Sequence, residues 1–209
     1  MSYNISLNLF SWYNCFGDVM KVSVGVSNRH VHLKEEDLYV LFGDNYKLEK
    51  IKDIKQPGQF ASNAKVTILT EKDSIENVRV LGPVRNYTQV EISKTDAYKL
   101  GINPPIRESG DILESAPISI IGPCGRVDLS EGCIIATRHI HITPKQVELY
   151  GLQDVETVDI LLPGVKGGIL HNVSFRVSDD SYFELHIDTD DANAHLVSSG
   201  DIVDILCIK

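Results

Sequence analysis

From Lys21 onward the chain is a succession of short runs rich in β-branched and other apolar residues, several of them alternating with polar ones. Such runs occupy 22–26, 65–69, 78–81, 89–92, 118–121, 133–137, 158–162, 173–177, 183–187 and 202–208. Their length and residue types predict strands. Turn residues punctuate them at Pro57-Gly58, Gly82-Pro83, Gly122-Pro123, Pro163-Gly164 and Gly167-Gly168. Helical patterns are few and short. One follows Leu33, from Lys34 to about Phe42. A second follows Thr143, with Pro144 suited to its first turn and Gly151 to its stop. A third follows Thr189, read as its N-cap, and stops before Gly200. Many short strands with few helices predict a mainly β fold of barrel or sandwich type.

The pattern also repeats. Arg29-His30-Val31-His32-Leu33 is echoed by Arg138-His139-Ile140-His141-Ile142, and a short helical pattern follows each. Val90-Glu91-Ile92 and Thr95-Asp96-Ala97 pair with Leu185-His186-Ile187 and Asp190-Asp191-Ala192, and Ser109-Gly110-Asp111-Ile112 recurs as Ser199-Gly200-Asp201-Ile202. The matches keep one order in both halves, which predicts two similar β-barrels from an internal duplication. The first would span 29–136 and the second 137–209.

Residues 1–20 read differently. Ile5, Leu9, Trp12, Phe16 and Val19 follow a helical rhythm, whereas Ile5, Leu7 and Leu9 alternate like a strand. Met20 offers a start of its own. The segment reads as a loosely docked extension or an over-long start, or else as a small amphipathic targeting helix.

Composition narrows the function. The 209 residues suffice for one large domain or two small ones, and 43% apolar with 23% charged residues is ordinary for a soluble protein. A net charge of −9 without a long basic run argues against nucleic acid as a partner. An anionic ligand would need local positive charge, from metal ions or a few arginines. The four cysteines, Cys15, Cys124, Cys133 and Cys207, form no CxxC pair and read as reduced, mostly buried thiols. No apolar run has the length of a membrane span, and no basic segment opens a secretory signal, so a cytoplasmic location is expected.

The histidines carry the chemistry. Side chains at i and i+2 of a strand share a face, with Cα atoms roughly 6.5–7 Å apart. Two imidazoles so placed can converge on one ion at about 2.0–2.1 Å. His30 with His32, and His139 with His141, meet this condition. One such pair is common by chance; two at duplicated positions, among seven histidines, point to metal. Glu91 and His186 occupy matching places in the second echo, so each half would supply an HxH pair plus one further ligand. Three protein ligands with an open position is the pattern of a catalytic metal, and imidazole and carboxylate without thiolate fit zinc best.

Other residues leave alternatives open. Arg29 and Arg138 read equally as ion-paired surface residues or as ligand contacts. The guanidinium of Arg85 suits a bidentate grip on phosphate, but its spacing alone does not single it out. Cys124 reads as a buried turn thiol rather than a nucleophile, His171 and His195 as structural or exposed, and the acidic run from Asp188 to Asp191 as a helix cap.

The segments VSNRHVHL, GPVRNYTQVEIS, LGINPPIRESGD, ATRHIHITP and HIDTDDANA resemble the PduL-type phosphate acyltransferases (phosphotransacylases), over roughly residues 22–208. The resemblance implies two β-barrel domains, a dinuclear zinc site between them, and exchange of an acyl group between coenzyme A and phosphate. It implies that His30, His32 and Glu91 hold one zinc, that His139, His141 and His186 hold the other, and that Arg85 grips phosphate. It further implies an exchanged first strand, so that 21–28 completes the second barrel. Propanoyl-CoA or acetyl-CoA would be the acyl donor. A homodimer and residence in a bacterial microcompartment, beside shell or core proteins, are compatible with it. Acyl preference and the favoured direction are left undecided. The competing reading is a metal-dependent hydrolase acting on a thioester or other acyl substrate. A single-barrel metal enzyme would leave the second HxH pair unused, and a non-catalytic metal binder would leave its open coordination positions without a purpose.

Overall fold

The computed structural model describes residues 20–206. The helical rhythm expected before Met20, together with Cys15 and Cys207, lies outside them.

The chain runs β1 (Met20–Ser27), β2 (His30–His32), α1 (Glu35–Phe42), β3 (Lys50–Asp53), β4 (Phe60–Leu69), β5 (Ser74–Gly82), β6 (Gln89–Glu91), α2 (Lys94–Leu100), β7 (Ile106–Arg107), β8 (Ala116–Ile121) and β9 (Arg126–Ala136). It continues with β10 (His139–Ile142), α3 (Pro144–Leu149), β11 (Thr157–Leu162), β12 (Gly168–Val177), β13 (Glu184–Asp188), α4 (Thr189–His195) and β14 (Ile202–Leu206). The fold is mainly β, with four short helices. No helix among the described residues is long and apolar enough to cross a membrane.

Two six-stranded barrels form. One closes in the order β4, β5, β2, β6, β9, β8 and back to β4, with β3 and β7 added at its margins. The other closes as β1, β13, β10, β12, β11, β14. Their pairings match. β2 lies parallel to β5 and antiparallel to β6, as β10 lies parallel to β12 and antiparallel to β13. β6 runs parallel to β9, and β13 runs parallel to β1. Internal duplication of one barrel is the simplest account of this order.

Each barrel has its own apolar core. Alternation builds it: on β4, Ala64, Val66 and Ile68 face inward while Asn63 and Lys65 face water. Leu41, Val80 and Ile120 complete the first core; Val24, Ile140, Val173 and Leu185 fill the second. Truncating one of these to Ala would cost about 2–5 kcal/mol.

The strand preceding each HxH strand belongs to the opposite barrel. β1 leads into β2 but pairs with β13 and β14; β9 leads into β10 but pairs with β6 and β8. The chain therefore crosses between barrels just before both HxH pairs, which brings the two pairs to one boundary.

Local chemistry revises three expectations. A fourth helix, α2, is capped by Ser93, whose hydroxyl accepts from Asp96 N while Asp96 reaches back to Ser93 N. The cap of α4 is Asp188, one residue before the expected Thr189, because its carboxylate accepts from Asp191 N at 2.9 Å. Strand β9 extends back to Arg126 through a half in which exposed polar residues alternate with Val127 and Leu129, which pack partly buried on the first core.

Candidate metal centre and anion cleft

The register sets each third residue opposite its HxH pair. Glu91 faces His30 across β6 and β2; His186 faces His139 across β13 and β10. In each half, one nitrogen or oxygen from each of the three side chains falls within 4.8 Å of the other two. The structure thus brings together His30, His32 and Glu91, and separately His139, His141 and His186. Both groups line a single cleft, along with Arg85 and Arg176.

The backbone presets the rings. His30 Nδ1 lies 2.9 Å from Asn28 O, and His139 Nδ1 lies 2.9 Å from Thr137 O. A carbonyl only accepts, so the proton sits on Nδ1 in both rings and Nε2 is left as a free donor of its lone pair. Asn28 and Thr137 are the residues at which the chain crosses between barrels, so strand exchange and ring orientation are coupled.

These groups could hold divalent cations. His32 Nδ1 is buried without a hydrogen-bond partner, an arrangement a cation would satisfy. His139 Nε2 and His141 Nε2 stand 3.1 Å apart. Two nitrogens on a tetrahedral ion at about 2.0–2.1 Å are separated by about 3.3–3.4 Å, so the pair is nearly at that spacing.

Electrostatics keep most of these ligands ready. Burial, with the neighbouring His30 and Arg85, pushes His32 down to about 2. Burial pulls His139 down to about 4, and burial with His186 and His139 pulls His141 to about 2. These rings are neutral at pH 7, as metal ligation requires. His30 differs: burial lowers it, but the Glu91 carboxylate at 3.5 Å outweighs that and raises it. Glu91 is correspondingly held well below the usual carboxylate range, since His30 overcomes its burial.

Arg85 is anchored at both ends. Its backbone N–H donates to Leu33 O, just past the first HxH pair. Its Nη1 donates to Tyr87 Oη at 3.0 Å and Ser109 Oγ at 3.2 Å. Ser109 also accepts from Gln89, whose amide donates to Glu91 at 2.6 Å. One network therefore ties the guanidinium to the first group.

Arg29 and Arg138 resolve as ion pairs. Arg29 grips Asp96 through Nε at 2.8 Å and Nη2 at 2.7 Å, and Arg138 grips Asp191 through Nε at 2.7 Å and Nη2 at 2.6 Å. Each pair fastens an HxH strand to the helix after the third residue of its group, Glu91 or His186. Cys124 is exposed, contrary to the buried thiol expected, because its turn lies outside α1; its N–H donates to Leu41 O. His171 pairs with Asp159 at 2.7 Å, and His195 Nδ1 lies 3.0 Å from Lys166 O.

A family model described as phosphate propanoyltransferase matches residues 23–198. The chain belongs to that family. A phosphate propanoyltransferase of Thermotoga maritima is 51% identical over 186 residues, 88% of this chain and 89% of its own length. That of Lachnoclostridium phytofermentans is 50% identical over 88% of this chain and 87% of its own, and that of Priestia megaterium 53% over 86% and 83%. The enzymes of this family are acyltransferases.

Four residues escape sequence reasoning, Arg176 and Ser109 lining the cleft and Gln89 and Glu184 buried beside it. Arg176 acts electrostatically on His32, His139 and His141, hence on both groups, and its side chain makes no hydrogen bond or ion pair among the described residues. Gln89 and Glu184 each touch the third residue of their half, and Ser109 joins Arg85 to Gln89. For Gln89 and Glu184 a signal existed: extending the second echo one residue back from Val90 and Leu185 pairs them.

Proposed function

We propose that this chain interconverts an acyl-CoA, propanoyl-CoA or acetyl-CoA, plus phosphate with the acyl phosphate plus CoA at a dinuclear zinc site. The observation that carries the reading is the convergence of two three-residue metal-binding groups and two arginines on one cleft, in a chain of the phosphate propanoyltransferase family.

His30, His32 and Glu91 would hold one zinc, and His139, His141 and His186 the other; imidazole and carboxylate donors suit that ion. When bound, the ions supply positive charge against phosphate and against the oxyanion that develops on the thioester carbonyl. Arg85, held by Tyr87 and Ser109, binds phosphate through its guanidinium, and Arg176 adds charge from the other barrel. With phosphate oriented, one of its oxygens attacks the thioester carbon. A C–O bond forms, the C–S bond breaks, and the CoA thiolate leaves with the bonding pair. Holding both reactants in attack geometry can contribute on the order of 7–11 kcal/mol. No covalent acyl-enzyme is required.

The domains of this reading are 29–136 and 137–209 with strand 21–28, a division supported by the closure of each barrel. A cytoplasmic enzyme, free or enclosed in a microcompartment, is consistent with its substrates.

Metal-replete protein mixed with propanoyl-CoA or acetyl-CoA, with and without phosphate, tests the reading through release of free thiol. Release that needs phosphate, yields acyl phosphate and stops on chelation is expected. Release without phosphate would mean a hydrolase instead.

A further inference from the structure

Glu184 is a buried carboxylate with partners from both barrels. On β13 it precedes His186 by two residues and faces His141. Its Oε2 lies 3.0 Å from His186 Nε2, and its Oε1 lies 2.5 Å from Lys55 Nζ, which follows β3 of the other barrel. The neighbouring contact is a two-point clamp: Gln56 Nε2 donates to Tyr182 O at 3.0 Å, and Tyr182 N donates to Gln56 Oε1 at 3.2 Å. Lys55 is thus fastened beside the strand that carries Glu184.

The other half fills the same place differently. Gln89 precedes Glu91 by two residues, faces His32, and donates to Glu91 Oε1 at 2.6 Å. Where the third residue is a carboxylate, its neighbour is a neutral amide. Where the third residue is an imidazole, its neighbour is a carboxylate. The halves exchange these roles, so that each carries one carboxylate beside its histidines.

Strand β1 makes room for the arrangement. Gly25 is aligned with His186, and a Cβ there would sit 2.7 Å from Glu184 Oε2 and 2.8 Å from His186 Cδ2. A carboxylate that accepts the ring N–H of a ligand histidine fixes its orientation and tautomer and makes the other nitrogen more basic. With Nε2–H donating to Glu184, Nδ1 is the nitrogen left to His186 for a cation.

We propose that Glu184 is a positioning residue for the His139, His141 and His186 group. It orients His186 and supplies the negative charge of that half, and Lys55 steadies it from the opposite barrel. This rests on the metal reading above.

Wild-type protein, Glu184→Gln and Lys55→Ala, each loaded with two equivalents of zinc, would be titrated with a chromogenic chelator. Cobalt-substituted forms would be compared by visible absorption, with His141→Ala marking which ion belongs to this group. In Glu184→Gln that ion should be held about 10–100-fold more weakly, with shifted cobalt bands, and the other ion unchanged. Lys55→Ala should move the same ion in the same direction by a smaller factor. Wild-type affinity for both ions with unaltered bands in Glu184→Gln would overturn the role. Loss of both ions together, with a lowered melting temperature in both variants, would also overturn it and mark a purely structural residue. Wild-type protein that binds fewer than two ions would defeat the metal reading itself, and the positioning role with it.

Discussion

Thr95 and Asp190 hold equivalent places in the two halves, and they touch: Asp190 Oδ2 accepts from Thr95 N at 2.7 Å. Each lies four residues after the third residue of its group, Glu91 or His186, in the first turn of α2 or α4. Contact between equivalent positions means that the approximate two-fold relation between the barrels passes between these helices. It is the arrangement found at the axis of a symmetric dimer, here within one chain.

Replacing Asp190 by Ala removes an acceptor from the N-terminus of α2 and one tie between the barrels. The expected loss is about 0.5–2 kcal/mol, the usual value of a cap, with both three-residue groups intact. Urea melts of the two proteins would show it as a shift in midpoint at constant slope. Unchanged stability would mean that the contact contributes nothing in solution.

Arg85→Ala should lower kcat/KM for phosphate by about 10²–10³-fold, the scale on which a preorganised donor acts. Metal content should stay at the wild-type value, since Arg85 is not a ligand in either group. Arg85→Lys should recover only part of the loss, because an ammonium has no planar fork. Near-normal phosphate kinetics in Arg85→Ala would remove this residue from the site.

Gly25→Ala introduces a methyl group into the space of Glu184 and His186. Both are constrained, Glu184 by Lys55 and His186 by Glu184, so relief requires displacing the pair. Overpacking of this kind costs about 1–3 kcal/mol, and turnover should fall roughly 10–100-fold through the disturbed histidine. Steady-state kinetics alongside a thermal melt would separate the two effects. A variant with wild-type turnover would show that the strand yields instead.

The two described cysteines should behave oppositely. Cys124 is exposed and should be modified by a thiol reagent, and Cys124→Ala should turn over normally because the proposed reaction needs no acyl-enzyme. Cys133 is buried, and burial pushes its thiol up from 9.0 to about 12. Between those values the unfolded chain loses this proton while the folded one keeps it, so stability falls as pH rises from about 9. Cys133→Ala, though less stable at neutral pH, should show a shallower decline from pH 9 to 11 in denaturant melts. Parallel pH profiles would contradict the assignment.

Sequence alone determined the kind of elements and the chemistry they could carry. Period-two alternation marks β4 and β13, and the i, i+2 spacing puts His30 with His32, and His139 with His141, on common faces whatever the fold around them. The echo of Glu91 in His186 was legible because duplication preserves order. Helix α2 was missed because its seven residues contain only two strongly apolar or small buried positions, Ala97 and Leu100, and its signal is the Ser93 cap. Tertiary structure decided the rest. Lys55 meets Glu184 across 129 residues, and Arg176 lines the cleft that holds both histidine pairs from a strand whose pattern is otherwise ordinary. Such partners follow from register and barrel closure, which depend on how remote strands pair, whereas local periodicity specifies only which face a side chain takes. The exchange of β1 was implied only by the family resemblance and that of β9 by nothing local; the closed barrels show both, and that crossing over there brings the two three-residue groups into one cleft.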